Sequence, residues 1–429
     1  MSDNINPAGE YRCPGTSYSI SRAVHLGRLA RFYPGCRTCP QAADTGTLSP
    51  RQVQRLAEVR PRGLLRRCFH DEGVSGVYGN ELTPVDARRM AAALGICLRE
   101  PERDGPSFGV SSGDDGRNLG QSPPLAVIAG DGRPLGANMV AMVGEGLRWA
   151  GCEVVDIGPA TAACLLLAIH QLDAGGGILV GNASGLPQQV GLKFFAPGPC
   201  PVSRGPWLDA IEQLSQADAD RPTRRYAALR RVQAEASYLA SLSAYYHALR
   251  PLRWVLDTPC APVWTCLQTL IATVACRVLP CPPGHDRLGQ QVRDQQAHFG
   301  INIADDGESC RLLDEQGRAV PGESLLLLLA SHLLAEQPQG IVVVEDGASP
   351  ALAEKIATWG GQVVRSPAGR AEMAAAMRTH GAILGGGPTG RCWYPVAGAV
   401  LPDALRTLTL LLVLLSRDDR GLSEVLAKL

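Results

Sequence analysis

The sequence lacks an excess of charge of either sign and lacks a long apolar segment. Lys and Arg total 41, as do Asp and Glu, so the formal net charge is +0. A neutral chain has no overall field that would draw it to nucleic acid or to an anionic membrane. Residues 1–10 are polar, unlike a secretory signal, and the apolar run 408–415 is too short to span a bilayer. We therefore expect a protein with neither a membrane nor a nucleic-acid partner.

The composition indicates a globular protein with buried cores. Hydrophobic residues make up 45% of the chain and charged residues 19%, whereas disordered chains have fewer apolar and more charged residues. The 14 cysteines are scattered, and several lie in apolar stretches, which is typical of buried thiols. A disulfide framework is not expected in a long chain without an export signal. The cysteines therefore predict a cytoplasmic location.

Residues 1–64 form a separate N-terminal segment with a small cluster of metal-binding residue types. A Cys-x-x-Cys pair suits two vertices of a tetrahedral zinc site. The candidate zinc ligands are Cys13, Cys36, Cys39 and His25. Cys68 and His70 are alternatives for the fourth ligand, and a redox pair or unrelated thiols are alternatives to zinc. A basic amphipathic helix over 19–32 suits a protein partner, or is simply a solvated face.

The rest of the chain alternates short apolar strands with helices. In the first block we predict strands over 125–129, 152–156 and 177–180 and helices over 138–149 and 163–172. This alternation predicts right-handed βαβ units on a mostly parallel sheet. A Pro- and Gly-rich stretch, 196–206, is the predicted linker, after which the pattern restarts twice. The predicted α/β domains are 65–200, 207–335 and 336–429.

Several separated segments resemble the α-D-phosphohexomutases, the phosphoglucomutase and phosphomannomutase family. They are residues 69–84, 130–134, 151–158, 191–194, 299–317 and, more weakly, 385–391. The resemblance implies three consecutive α/β/α domains with mixed, mostly parallel sheets. It also implies an enzyme in which a phosphorylated serine exchanges its phosphoryl group with a hexose phosphate. The family's fourth, C-terminal domain is expected to be absent, because the chain stops at Leu429.

The resemblance leaves two alignments open for the nucleophile. Aligning Ala183-Ser184 with the Ala-Ser of the family's Thr-Ala-Ser-His-Asn-Pro loop makes Ser184 the phosphorylated residue. A gapless alignment puts Ala183 there instead, and a methyl group cannot accept a phosphoryl group. The histidine and asparagine that follow the family's serine are replaced by Gly185 and Leu186. A simple polar turn is a further alternative for this segment.

The resemblance implies a magnesium loop of the form Asp-x-Asp-x-Asp-Arg. The corresponding residues here are Ala304, Asp306, Glu308 and Ser309, so the first carboxylate and the arginine are lost. The candidate Mg²⁺ ligands are Asp305, Asp306 and Glu308, because a hard cation prefers oxygen ligands. A solvated acidic turn is the alternative.

The resemblance also implies a sugar-binding loop of the form Gly-Glu-x-Ser-Gly-His. Here Gly387 replaces the glutamate, and the implied hydrogen-bonding groups are altered at two further positions. The candidate substrate-binding residues are Thr389, Arg391, Arg370 and Lys193. Arginine pairs well with phosphate, which keeps a hexose phosphate as the predicted ligand. A glycine-rich turn without a binding role is the alternative.

Changes at every implied loop predict a phosphohexomutase-like protein with impaired or absent catalysis, since residues that act as a unit lose activity together. The alternative is a non-catalytic pseudoenzyme that senses sugar phosphates, or that serves as a scaffold whose N-terminal segment contacts a protein partner.

Overall fold

We describe the protein from a computed structural model. It describes residues 10–13, 18–31, 36, 39–57, 68–99, 123–181, 188–217, 227–281 and 287–429. Three α/β units follow a small N-terminal unit, which confirms the predicted fold class. None of the helices in these ranges is long and apolar enough to cross a membrane.

The N-terminal unit contains one short antiparallel ladder and two helices. Its elements are β1 (Glu10–Tyr11), β2 (Ile20–Ser21), α1 (Arg22–Ala30) and α2 (Pro50–Ala57). Helix α1 begins after Ser21 because the Ser21 hydroxyl accepts a hydrogen bond from the Val24 amide. The ring of Tyr11 stacks on the ring of His25, with 4.3 Å between their centroids.

The first large sheet has eight strands. Its strands are β3 (Phe69–His70), β4 (Gly73–Val77), β5 (Leu125–Gly130), β6 (Glu153–Pro159), β7 (Gly176–Gly181), β8 (Gln189–Ala196), β9 (Cys200–Pro201) and β10 (Leu229–Arg231). Its order is β10-β6-β5-β7-β8-β4-β3, with β9 paired to β8. The first four strands in this order are parallel and the others antiparallel. The associated helices are α3 (Pro84–Arg99), α4 (Pro134–Trp149), α5 (Ala162–Gln171), α6 (Pro206–Gln216) and α7 (Glu235–Ser243).

The second and third sheets repeat one topology. The second contains β11 (Arg253–Asp257), β12 (Arg277–Pro280), β13 (Phe299–Ile303), β14 (Cys310–Leu313) and β15 (Ala319–Val320), with α8 (Ala261–Ile271), α9 (Arg287–Asp294) and α10 (Gly322–Glu336). The third contains β16 (Ile341–Glu345), β17 (Gln362–Ser366), β18 (Leu384–Gly386), β19 (Trp393–Val396) and β20 (Ala399–Pro402), with α11 (Pro350–Thr358), α12 (Arg370–His380), α13 (Ala404–Ser416) and α14 (Leu422–Leu426). In both sheets the order across the sheet is second strand, first, third, fourth and fifth. The first three strands in this order pair in parallel, and the fourth pairs antiparallel with both of its neighbours.

One continuous apolar core joins the three sheets. Val127 of the first sheet, Trp254 of the second and Val342 of the third belong to the same buried cluster. Burial of such large side chains stabilises the folded state by roughly 1.5–3 kcal/mol each. Residues 196–206, predicted to be a linker, instead contain β9, which pairs with β8 inside the first unit. The three units are therefore packed against one another.

Candidate functional site

Three equivalent connections follow the third parallel strand of each sheet. They join β7 to β8, β13 to β14 and β18 to β19. In open α/β sheets, ligands bind beyond the carboxyl ends of parallel strands. The first connection contains residues 182–187, which lie outside the described residues. Both nucleophile alternatives, Ser184 and Ala183, fall there, so that assignment stays a prediction.

The turn between β13 and β14, residues 304–309, is held by backbone contacts to both neighbouring units, and we call it the acidic turn. The Ala162 amide at the start of α5 donates to the Asp306 carbonyl at 2.9 Å. The Ala404 amide at the start of α13 donates to the Gly307 carbonyl, also at 2.9 Å. Gly307 has a φ of +76°, a conformation that favours glycine. The acidic turn thus lies where all three units meet.

Lys193 bridges two of the three carboxylates predicted to bind magnesium. It lies on β8 and is only 8% exposed. Its Nζ donates to Oδ2 of Asp306 and, at 3.1 Å, to Oε2 of Glu308. Lys193, a predicted substrate-binding residue, therefore forms ion pairs with two predicted metal ligands.

Glu308 is the centre of a larger ion-pair network. Its carboxylate is fully buried, with Nη2 of Arg370 2.5 Å from Oε1 and Nε of Arg391 3.5 Å from Oε2. Burial alone would raise the pKa of Glu308, but Arg370, Lys193 and Arg391 outweigh it and hold the pKa at about 2. Glu308 therefore remains ionised at neutral pH, and three cationic side chains of the described residues compensate its charge.

The two arginines reach Glu308 from the third unit and are themselves anchored to the first. Arg370, the first residue of α12, is 0% exposed, and its guanidinium lies 5.2 Å from the ring centroid of Phe195. Among the described residues, its Nε and Nη1 have no hydrogen-bond partner. Arg391 forms a bidentate pair with Glu72, with both N–O distances 2.9 Å. The network therefore spans all three units.

A second carboxylate, Glu345, holds the turn between β18 and β19, residues 387–392, which we call the glycine turn. Glu345 ends β16 and is 2% exposed. The Thr389 hydroxyl donates to its Oε1, and the Thr389 amide donates to its Oε2 at 3.1 Å. A Cβ on Gly387 would lie 2.7 Å from Oε2 and from Cβ of Glu345. Glu345 therefore fills the space into which a side chain at position 387 would project.

Asp305 lies beside this network but does not join its ion pairs. Its Oδ2 is buried and finds no hydrogen-bond partner in the described part of the chain, and burial, together with Asp306, raises its pKa to about 7. The adjacent cavity has a volume of about 10 Å³ and is also lined by Asp131 and Lys193. That volume is close to the minimum for a single water molecule.

The residues present do not fit a divalent cation in the acidic turn. The position of the first family carboxylate carries the methyl group of Ala304. Asp306 and Glu308 are already paired with Lys193, and Glu308 with two arginines as well. Within the described ranges, no group of three or more His, Cys, Asp or Glu side chains is arranged to hold a metal ion. Two of the three predicted Mg²⁺ ligands, Asp306 and Glu308, are therefore members of an ion-pair network, and Asp305 lies beside it.

The predicted zinc ligands receive no support for a metal site either. Nε2 of His25 lies 3.0 Å from the Asp44 carbonyl, and Sγ of Cys13 accepts a hydrogen bond from Arg28 at 3.0 Å. Burial, and then the neighbouring thiols Cys13 and Cys39, raise the pKa of Cys36 to about 11. Two of the four candidate ligands, His25 and Cys13, therefore already contact other groups of the N-terminal unit.

Comparison with known proteins defines the class to which this fold belongs. The profile "Phosphoglucomutase/phosphomannomutase, alpha/beta/alpha domain I" matches residues 66–221, and the corresponding domain III profile matches residues 321–429. Phosphoglucosamine mutase from Frankia alni is 28% identical over 392 residues, which cover 84% of this chain and 81% of the relative. The chain belongs to the α-D-phosphohexomutase family.

Solved structures share the fold. A phosphoglucomutase/phosphomannomutase family protein from Burkholderia thailandensis superposes with a TM-score of 0.71 at 20% identity, covering 84% of this chain and 79% of that one. An Aspergillus fumigatus N-acetylphosphoglucosamine mutase in complex with glucose 1,6-bisphosphate gives a TM-score of 0.51 at 13% identity, covering 87% of this chain and 81% of that one. The family and fold that the sequence segments implied are confirmed.

Proposed function

We propose that this protein binds a hexose phosphate at the place where its three units meet, which we call the cleft, and that it turns this ligand over slowly or not at all. One observation carries the proposal. The side chains expected to contact substrate already donate to carboxylates of the chain itself: Lys193 to Asp306 and Glu308, Arg370 to Glu308, Arg391 to Glu72, and Thr389 to Glu345.

Phosphoryl transfer depends on donors that are preorganised around the phosphoryl oxygens. Here the best placed donors are preorganised around protein carboxylates. A substrate must therefore break buried ion pairs before these donors can stabilise a transition state. Binding energy used for this rearrangement is not available to lower the barrier of the chemical step.

Hexose-phosphate binding itself remains compatible with this arrangement. Arg391 holds Glu72 through two parallel hydrogen bonds, a geometry that a phosphate can also satisfy. Glu72 is only partly buried, so a phosphate can exchange with it at lower cost than with the fully buried Glu308. The complex of the Aspergillus fumigatus relative with glucose 1,6-bisphosphate supports a sugar phosphate as the ligand class.

Three measurements on the purified chain test this proposal. Hexose 1-phosphates, such as glucose 1-phosphate and mannose 1-phosphate, should raise the melting temperature, while a coupled mutase assay should detect little or no turnover with or without Mg²⁺. Phosphopeptide mass spectrometry should find no phosphoserine at Ser184. Mg²⁺-dependent turnover that is lost in Ser184→Ala, and kept in the exposed control Ser243→Ala, would instead establish an active mutase.

An active, Mg²⁺-dependent phosphohexomutase is the second candidate, and it is favoured by the curated relatives, which carry mutase names across most of this chain. It requires Ser184 to face a bound Mg²⁺ ion.

A scaffold that uses the N-terminal unit to contact a protein partner is a third candidate function of the same fold. A pull-down that compares the full chain with a chain from which residues 1–64 are deleted tests it.

Buried thiols support a cytoplasmic location. Examples are Cys152, Cys164 and Cys260, none of which is in a disulfide.

A further inference from the structure

The geometry points to a protein cation in the role that the family gives to a divalent metal. The ammonium of Lys193 is the resident cation of the acidic turn, so that Asp306 and Glu308 are neutralised without Mg²⁺. This inference concerns the same cleft as the proposed function, but metal binding is measured without substrate and is decided separately.

The contacts of Lys193 are those expected of a bridging cation. Its Nζ donates to Asp306 and lies 3.1 Å from Glu308, so one positive group joins both carboxylates that remain of the family's metal loop. Lys193 is also held in place by its strand, since it pairs with Leu179 in the register of β7 and β8. The ammonium therefore reaches the acidic turn from a rigid element.

The balance of charge leaves little for a metal ion to neutralise. Glu308 already has Arg370 at 2.5 Å and Arg391 at 3.5 Å in addition to Lys193. A divalent cation would have to displace Lys193 and would then face both guanidinium groups. Displacing Lys193 would leave its ammonium without a carboxylate partner at an almost fully buried position, which is strongly unfavourable.

The coordination chemistry points the same way. Mg²⁺ requires near-octahedral oxygen coordination at about 2.0–2.1 Å and keeps several waters. Ala304 supplies no ligand where the family has its first carboxylate. Asp305 lines a cavity together with Asp306 and Lys193, so an ion held there would lie against the ammonium of Lys193.

The test is a titration of the full-length protein with Mn²⁺, followed by electron paramagnetic resonance of the free ion and repeated with Mg²⁺ by calorimetry. Wild-type protein should bind neither ion at submillimolar concentration. Lys193→Met removes the ammonium with a similar side-chain volume and should bind Mn²⁺ at least about tenfold more tightly, about 1.4 kcal/mol. Lys428→Met, at an exposed lysine, is the matched control and should behave as wild type.

A second pair of variants tests the missing ligand. Ala304→Asp alone should gain little affinity, because Lys193 still occupies the site, whereas the Lys193→Met, Ala304→Asp double variant should bind most tightly. Submillimolar Mn²⁺ binding by wild type would overturn the inference, and this arm needs no variant to fold. A Lys193→Met variant that melts cooperatively yet binds no better than wild type would overturn it too. Mutase turnover that persists in EDTA would overturn the proposed function and leave this inference standing.

Discussion

Replacing Glu308 by glutamine removes the anion at the centre of the network while keeping its shape. Arg370, which is 0% exposed, would lose its carboxylate, and Lys193 would keep only Asp306. Removing one partner of a buried ion pair costs about 3–5 kcal/mol. We expect Glu308→Gln to lower the free energy of unfolding by that amount, measured in guanidinium chloride by tryptophan fluorescence.

The pKa of Glu308 gives a second route to the same magnitude. A carboxyl whose pKa is about 2 in the folded chain and usually 4.5 stabilises the folded state by about 3 kcal/mol above roughly pH 5. Because the folded pKa is depressed, this stability is present above the unfolded pKa and is lost as the pH falls through the folded pKa. The difference between wild type and Glu308→Gln should therefore shrink by about 1 kcal/mol between pH 7 and pH 4.

The control for this experiment is Glu354→Gln, at an exposed glutamate on α11. Surface substitutions of this kind change stability by no more than about 0.5 kcal/mol. A loss below about 1 kcal/mol for Glu308→Gln, or a difference from wild type that does not depend on pH, would refute the reasoning that Glu308 is held ionised by three cations.

Three further substitutions test other contacts, each by thermal denaturation of the full chain. Gly387→Glu introduces the glutamate that the family resemblance implies into space that Glu345 occupies, and it should lower the free energy of unfolding by about 1–3 kcal/mol. Adding Glu345→Gly to the same chain should recover much of that lost stability. An unchanged melting temperature for the single variant would contradict this. Gly146→Ala places a Cβ 2.2 Å from a carbonyl of α3 and should destabilise strongly, while Gly27→Ala, with nothing within 4 Å, should be neutral or stabilising by up to about 1 kcal/mol. Equal effects at the two glycines would contradict the close helix contact. Tyr238→Phe removes the one hydroxyl donor that the buried Asp403 carboxylate shares between its two oxygens, at 2.9 and 3.0 Å, and should cost about 1–3 kcal/mol. A neutral result would show that the Asp403 carboxylate is satisfied elsewhere.

The sequence predicts the parallel strands of this fold well, because each is a short apolar run between turn residues. The run 125–129 corresponds to β5, which is Leu125–Gly130, and 177–180 to β7, Gly176–Gly181. Helix α4 begins at Pro134, four positions before the predicted start at 138, because proline at the first helical position is itself a start signal. Short antiparallel pairs such as β19 and β20 depend on tertiary contacts and have no comparable pattern.

The sequence predicts which residues belong to the site but not which of them form ion pairs with one another. The sequence identifies Lys193, Asp306 and Glu308 as candidates, but Lys193 and Asp306 are 113 positions apart, and their contact depends on how two units pack. The partner carboxylates Glu72 and Glu345 were missed. Glu345 could have been found, since an acidic residue directly after a buried parallel strand lies at the edge where ligands bind. Glu72 does not follow a parallel strand, so its sequence position does not mark it as a site residue. It becomes one because Arg391, from the third unit, pairs with it.

The account depends most directly on which cation lies between Asp306 and Glu308. Diffraction data from crystals grown in excess Mn²⁺, collected at a wavelength where manganese scatters anomalously, answer this. We expect no anomalous peak there and side-chain density for Lys193 that reaches both carboxylates. A manganese peak coordinated by Asp306 and Glu308, with Lys193 turned away, would contradict the account.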